Sequence, residues 1–252
     1  MPIPIKSDME ISLMKEAAHI LIEAHELVGK AVQEGITTKE LDAIAETFIT
    51  SKHALPSFKG YCGYPASACI SINEEVVHGI PGKRKLKQGD LVSVDLGVYY
   101  KGYHSDAARS YTVGDVSPEI LKLIEVTKQS FFEGLKYAKP GNHLGQISVA
   151  IQTYVETNGF SVVRDLVGHG IGRELHEEPQ VPNYKTPGRG PKLQKGMVLA
   201  IEPMVNMGTW QVRVLEDDWT FVTRDGMPSA HYENTVVITN DIPEILTLQS
   251  SK

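Results

Sequence analysis

Four carboxylates and one histidine lie in or beside apolar or glycine-rich segments, where water would not readily solvate them. Asp95 and Asp106 lie inside apolar runs, in which an unpaired charge is costly. His169 stands between two glycines, and Glu202 and Glu233 each border an apolar run. Four negative charges balance two divalent cations, and oxygen ligands with one nitrogen suit Co, Mn, Fe or Zn. These residue types predict two metal ions about 3.5–4 Å apart, a separation that activates a shared water for hydrolysis.

The residues by themselves leave two alternatives open. Asp95 and Asp106 could face solvent on an amphipathic hairpin. His104 and His231 share strand faces with two of the acids and could replace the glycine-flanked histidine as ligand. Gly97, two residues after Asp95, allows a close approach to the backbone, which favours a metal as the partner of that acid.

The elements that position these groups follow from periodicity. Alternating apolar and polar residues within 91–113 predict a half-buried hairpin with its turn at Lys101-Gly102 and the two aspartates nearly opposite. Two capping-box patterns, a Ser-Pro start and an Asn158-Gly159 end predict four helices, which begin near Ser7, Thr37, Ser117 and Leu144.

The sequence contains an internal duplication. LKQGDLVSVD at 86–95 resembles LQKGMVLAIE at 193–202, so that Asp95 corresponds to Glu202. We therefore expect an α+β fold in one catalytic domain, 1–252, with related halves of about 8–116 and 117–245 around a central cleft.

Composition limits the classes of partner. The 252 residues carry a net charge of −6, which argues against DNA and against an anionic membrane. No apolar run reaches membrane-spanning length, no signal-peptide pattern occurs, and the two cysteines suit a reducing compartment, so we expect a cytoplasmic protein. The basic run 83–87 predicts a solvated loop, with a ribosomal RNA contact as the alternative.

Linked motifs along the whole chain closely resemble type I methionine aminopeptidases. They are SINEEVVHGIP, SVDLG with HSDAA, GHGIGRELHEEPQVPNY, AIEPM and HYENTVVIT. The resemblance implies a pita-bread fold and two divalent metals held by the five residues above, with Asp106 and Glu233 bridging. It also implies that Glu202 shuttles a proton, that His176 stabilises an oxyanion and that His78 contacts the scissile amide.

The resemblance further implies a pocket for a methionine side chain. Its lining would be Phe58, Tyr61, Tyr64, Cys69, Leu175 and Trp219. Phe58 and Leu175 depart from the better-known bacterial pattern, in which we expect Cys and Phe, so bulk is exchanged across the pocket. The spacing from His169 to Glu202 leaves no room for the type II insertion.

The implied function is removal of the initiator methionine from nascent polypeptides when the second residue is small, by a monomer. The chain's own Met1, followed by Pro2, would then be removed. The alternatives are a peptidase like prolidase or aminopeptidase P, and a non-catalytic binding protein with the same fold.

Overall fold

Four helices form where the capping signals predict them. The computed structural model describes residues 2–248. Met1 and residues 249–252 lie outside the described residues, and so do the predicted removal of Met1 and the outer limits of the predicted domain. The helices are α1 (Asp8–Ala31), α2 (Thr38–Ser51), α3 (Pro118–Leu135) and α4 (Leu144–Thr157). Ser7 and Thr37 close the predicted capping boxes of α1 and α2. Within the described residues, no helix has the length and apolar character needed to cross a membrane.

The strands pair in antiparallel fashion throughout the described chain. Those of the first half are β1 (Leu55–Pro56), β2 (Ala68–Ile72), β3 (Glu75–Val77), β4 (Leu91–Tyr100) and β5 (Tyr103–Thr112). Those of the second half are β6 (Ser161–Val162), β7 (Gly168–Gly170), β8 (Glu177–Val181), β9 (Val198–Ile201), β10 (Met204–Asn206), β11 (Val212–Val214), β12 (Phe221–Thr223), β13 (Ser229–His231), β14 (Asn234–Val237) and β15 (Glu244–Ile245).

Two sheets matter most for the site. In the first, β4 pairs with β1 and β2 along one edge and with β5 along the other. In the second, the strand order is β15-β14-β9-β7-β8. Two smaller sheets have the orders β13-β10-β6 and β11-β12-β3.

The predicted hairpin of β4 and β5 forms with its turn at Lys101-Gly102. Both turn residues have positive φ, 50° and 86°, as a type I′ turn requires. The register pairs Asp95 with Ala108 and Gly97 with Asp106, so the two acids are diagonal neighbours on one face, not opposite. The prediction of a half-buried β4 is wrong, because both faces of most of the strand are buried.

The two halves meet between β5 and β14. The backbones of Ala108 and Glu233 exchange two hydrogen bonds, of 3.4 and 3.1 Å. The hydroxyl of Thr235 accepts from the amide of Asp106 and donates to its carbonyl oxygen, both at 2.9 Å. Separate apolar cores lie beneath α1 and α2 and beneath α3 and α4. The α+β class is confirmed, and the exact division into duplicated halves stays a prediction.

Candidate active site

The ends and middles of five strands bring the five predicted ligands together. Asp95 and Asp106 project from one face of the β4–β5 hairpin, while His169 lies in the middle of β7. Glu202 directly follows β9. Glu233 lies in the break between β13 and β14, one residue before β14 begins. All five line a single cavity.

The glycines near these ligands serve packing between strands. A Cβ on Gly168 or Gly170 would overlap a carbonyl oxygen, of Ala200 or Glu178 respectively. Neither glycine has a positive φ, so their role is close strand approach. Gly97 likewise admits the side chains of Ser57 and Phe58, which directly follow β1.

His169 is held in the form that a metal ligand requires. Its Nδ1–H donates to the carbonyl oxygen of Gly170 at 2.9 Å. Burial lowers the pKa of His169 to about 3, so the ring is neutral and Nε2 carries a lone pair. That nitrogen lies 3.9 Å from Oδ2 of Asp106 and 3.7 Å from Oε1 of Glu202. The lone pair therefore faces the acids.

The four carboxylates share one poorly solvated space. Burial, together with the neighbouring acids, raises the pKa of Asp95, Glu202 and Glu233 well above their ordinary values. Burial raises the pKa of Asp106 to about 7. Oδ1 of Asp95 and of Asp106 are buried with no hydrogen-bond partner among residues 2–248. Buried acids of this kind are stabilised by cations.

The donor set fits divalent metal ions. One ligand atom each from Asp106, His169 and Glu233 lie within 4.8 Å of one another. Hard carboxylate oxygens with one neutral imidazole suit Mn, Fe, Co or Zn, and the set holds no thiolate that would indicate a structural zinc site.

The two rival histidines differ from His169 in their surroundings. Nδ1 of His104 lies 2.9 Å from the hydroxyl of Ser57, and the His104 ring does not line the cavity. His231 is buried, and its Nε2 lies 3.8 Å from Glu202 and 4.0 Å from Glu233. Neither ring lines the cavity, which favours His169 as the ligand.

A small pocket adjoins the acid cluster. It is lined by the six residues of the predicted methionine pocket, Phe58, Tyr61, Tyr64, Cys69, Leu175 and Trp219. The cavity measures about 100 Å³, well below the ~300–1,000 Å³ of pockets for drug-sized ligands. Its size suits one amino-acid side chain. A larger groove of about 800 Å³ lies beside α4, and none of the predicted site residues lines it.

Two further histidines border the same cavity. His78 packs edge-on against Phe221, with ring centroids 5.8 Å apart, and burial lowers its pKa to about 4. The His176 ring lies edge-on against the His169 ring, with ring centroids 4.2 Å apart, and desolvation lowers the pKa of His176. Both rings are therefore neutral near pH 7, and each can donate one N–H.

Sequence reasoning missed two groups that support the site. Arg109 donates to the carbonyl oxygen of Glu233 at 2.5 Å and to the side chain of Asn234 at 2.7 Å, which fixes the start of β14. Lys6 forms a buried ion pair with Glu177, next to the loop that carries His176. The available signal for Arg109 was a lone basic residue within the polar-apolar alternation of β5.

A buried cluster of acids and a neutral histidine beside a side-chain pocket defines the site of a metal-dependent hydrolase. The model of metallopeptidase family M24 matches residues 12–240. The chain belongs to this family, and it is therefore a metallopeptidase.

Individual relatives agree with that assignment. A methionine aminopeptidase of Clostridium perfringens is 60% identical over 244 residues, which are 97% of this chain and 98% of the relative. The crystal structure of methionine aminopeptidase from Thermotoga maritima has a TM-score of 0.96 at 48% identity, covering 98% of this chain and 100% of the other. Prolidase from Pyrococcus furiosus, with a TM-score of 0.80 at 24% identity, shares the fold; the match covers 98% of this chain and 66% of the prolidase. The pita-bread fold is confirmed.

Proposed function

We propose that this chain is a methionine aminopeptidase that removes the initiator methionine from nascent polypeptides when the second residue is small. The observation that carries the proposal is one cavity of about 100 Å³ that is lined both by the acid-histidine cluster and by the six residues of the predicted methionine pocket. The similarity to methionine aminopeptidases over 97% of the chain supports it.

Two divalent metal ions form part of the proposal. The residues that would hold them are Asp95, Asp106, His169, Glu202 and Glu233, of which Asp106 and Glu233 would be shared between the two ions. Co, Mn, Fe and Zn all suit these donors. Bound ions would supply Lewis acidity and lower the pKa of a water molecule for attack on the first peptide bond.

The residues around the cluster divide the remaining chemistry. Glu202 would accept a proton from the attacking water and pass it to the leaving amine, acting first as general base and then as general acid. His176 donates an N–H to the oxyanion that develops on the carbonyl, and His78 contacts the scissile amide. Because the pKa of each imidazole is lowered, neither ring adds a positive charge that would compete with the metals.

The pocket selects the first side chain. Aromatic faces from Tyr61, Tyr64 and Trp219 and the thiol of Cys69 suit a flexible thioether. Phe58 and Leu175 are both largely buried and close the pocket, so a long unbranched side chain fits better than a branched or aromatic one. The reaction takes place in the cytoplasm on the N-termini of nascent polypeptides, with the enzyme as a monomer.

No observation favours prolidase-like specificity over this proposal, since the likeness to prolidase concerns the fold. The non-catalytic alternative is opposed by the presence of a donor side chain at all five ligand positions.

The test is release of methionine from Met-Ala-Ser by protein that has been chelated and then reloaded stepwise with Mn, Fe, Co or Zn. We expect activity to return with at least one metal, and Ala-Pro peptides to remain uncleaved. Asp106→Asn should abolish both metal uptake and release, whereas Asp115→Asn, at an exposed acid, should behave as wild type. Cleavage of Xaa-Pro but not Met-Ala bonds, or full activity of Asp106→Asn, would overturn the proposal.

A further inference from the structure

A direct hydrogen bond joins the pocket to one of the cavity histidines. The hydroxyl of Tyr61 lies 2.7 Å from Nδ1 of His176, and the two ring centroids are 5.1 Å apart. Both residues line the cavity, although they are 115 positions apart in the chain. Neither the proposed metal ligation nor the proposed methionine contacts use this hydroxyl.

The backbone at Tyr61 is tightly turned. Tyr61 begins a single turn, 61–63, which Gly60 precedes and Gly63 ends, with φ of 86° and 89° at these glycines. Cys62 has φ 49°, a conformation that costs a non-glycine residue energy. The amide of Tyr64 donates to the carbonyl oxygen of Tyr61 at 2.9 Å and closes the turn. The hydroxyl is thus presented on a well-defined support.

The chemistry of the two partners leaves two arrangements. A neutral imidazole carries one N–H, on either Nδ1 or Nε2. Burial and the neighbouring Cys62 raise the pKa of Tyr61, so the hydroxyl keeps its proton. Either Tyr61 donates to Nδ1 and the imidazole proton is on Nε2, or Nδ1–H donates to the tyrosine oxygen and Nε2 is a bare lone pair.

The proposed reaction distinguishes between these arrangements. With Nδ1 engaged by Tyr61, Nε2 is the ring nitrogen left for a group bound in the cavity that both residues line, and an oxyanion develops on that group. An N–H is favoured there, and a second lone pair is not.

We propose that Tyr61 is a positioning residue, whose O–H donates to Nδ1 of His176 and thereby holds that imidazole as the Nε2–H tautomer directed into the cavity. The inference deepens the proposed function, on which it rests, because it explains how a neutral histidine is kept ready to donate to an oxyanion. In the other tautomer His176 would repel that oxyanion.

The kinetic test is Tyr61→Phe, which removes the hydroxyl and keeps the aromatic wall of the pocket. We expect kcat to fall about 5- to 20-fold, less than the ~10²–10³-fold cost of deleting an oxyanion donor, with KM changed less than about twofold. In a His176→Ala background the same substitution should have no further effect. Tyr137→Phe, which removes a hydroxyl from an exposed tyrosine, is the matched control and should keep full activity.

A second measurement reads the tautomer directly. Nitrogen-15 NMR of histidine-labelled, zinc-loaded protein separates protonated from unprotonated ring nitrogens, and the missing signals of His176→Ala assign the residue. We expect a protonated Nε2 in wild type and in Tyr64→Phe, whose hydroxyl instead donates to the carbonyl oxygens of Ala68 and Gly79. Tyr61→Phe should shift His176 toward a mixture of tautomers.

The outcomes separate this inference from the proposed function. A protonated Nδ1 in wild type, or a Tyr61→Phe enzyme with unchanged kcat, would overturn the role of Tyr61. The proposed function would still stand if wild type released methionine. If wild type releases no methionine under any metal, the proposed function fails, and the NMR result still decides the tautomer.

Discussion

Removal of the metal ions should make the stability of this protein fall as the pH rises. The carboxyl of Asp106 is buried, and its pKa is raised from 3.8 to about 7 in the folded protein. Between those two pH values the folded state holds a proton that the unfolded state has released. Because the folded state binds more protons there, raising the pH favours unfolding.

The size of the effect follows from the same shift. A rise in pKa from 3.8 to about 7 corresponds to about 4 kcal/mol at and above pH 7, since one pKa unit equals about 1.4 kcal/mol. Below pH 4 this penalty is absent, because both states are protonated. Asp95, Glu202 and Glu233 also have raised pKa values, so about 4 kcal/mol describes only the contribution of Asp106. Bound divalent ions should reverse the trend, because they favour the ionised carboxylates of the folded state.

Urea unfolding measures these contributions to the free energy of unfolding. The comparison is between wild type and Asp106→Asn, at pH 5 and at pH 8, with chelator or with saturating Mn. Without metal, wild type should lose several kcal/mol between the two pH values, and Asp106→Asn should lose distinctly less and be more stable than wild type at pH 8. With Mn the order should invert, since the variant lacks a ligand; Asp115→Asn should follow wild type throughout. Equal pH dependence of metal-free wild type and Asp106→Asn would refute the reasoning.

Three other substitutions test the supports of the site. Lys6→Met leaves the buried carboxylate of Glu177 without its cationic partner, so the free energy of unfolding should fall by about 3–5 kcal/mol in the same urea titrations. The control is Lys15→Met, at an exposed ion pair, which should cost under about 1 kcal/mol. Gly170→Ala places a Cβ against a carbonyl oxygen of β8 and should lower the free energy of unfolding by about 1–3 kcal/mol. The control is Gly82→Ala, where the nearest atom is 3.9 Å from such a Cβ, and its free energy of unfolding should stay within about 0.5 kcal/mol of wild type. Equal losses of stability at the two glycines would contradict the packing argument. Phe58→Ala removes a wall of the pocket and should raise KM for Met-Ala-Ser about tenfold in steady-state assays, an expectation that an unchanged KM would exclude.

Much of the fold could be predicted from local signals. The capping residues Ser7 and Thr37 define helix starts because their hydrogen bonds involve only the next three residues. The Lys101-Gly102 turn could be recognised for the same reason. The five acid and histidine positions stood out because their charge and polarity conflict with the apolar runs around them, and the linked motifs supplied their interpretation as ligands.

By itself, then, the sequence determined the helices, the hairpin and the identity of the unusual polar residues, since each depends on contacts within a few positions or on a local conflict of polarity. The tertiary structure decided the register that makes Asp95 and Asp106 diagonal, the break that leaves Glu233 beside Ala108, and the contact of Tyr61 with His176. Alternation along a strand indicates which residues share a face, but it carries no information about which distant strand will lie against that face. That choice depends on packing the two halves together, and it is this packing that gathers the scattered acids into one cavity.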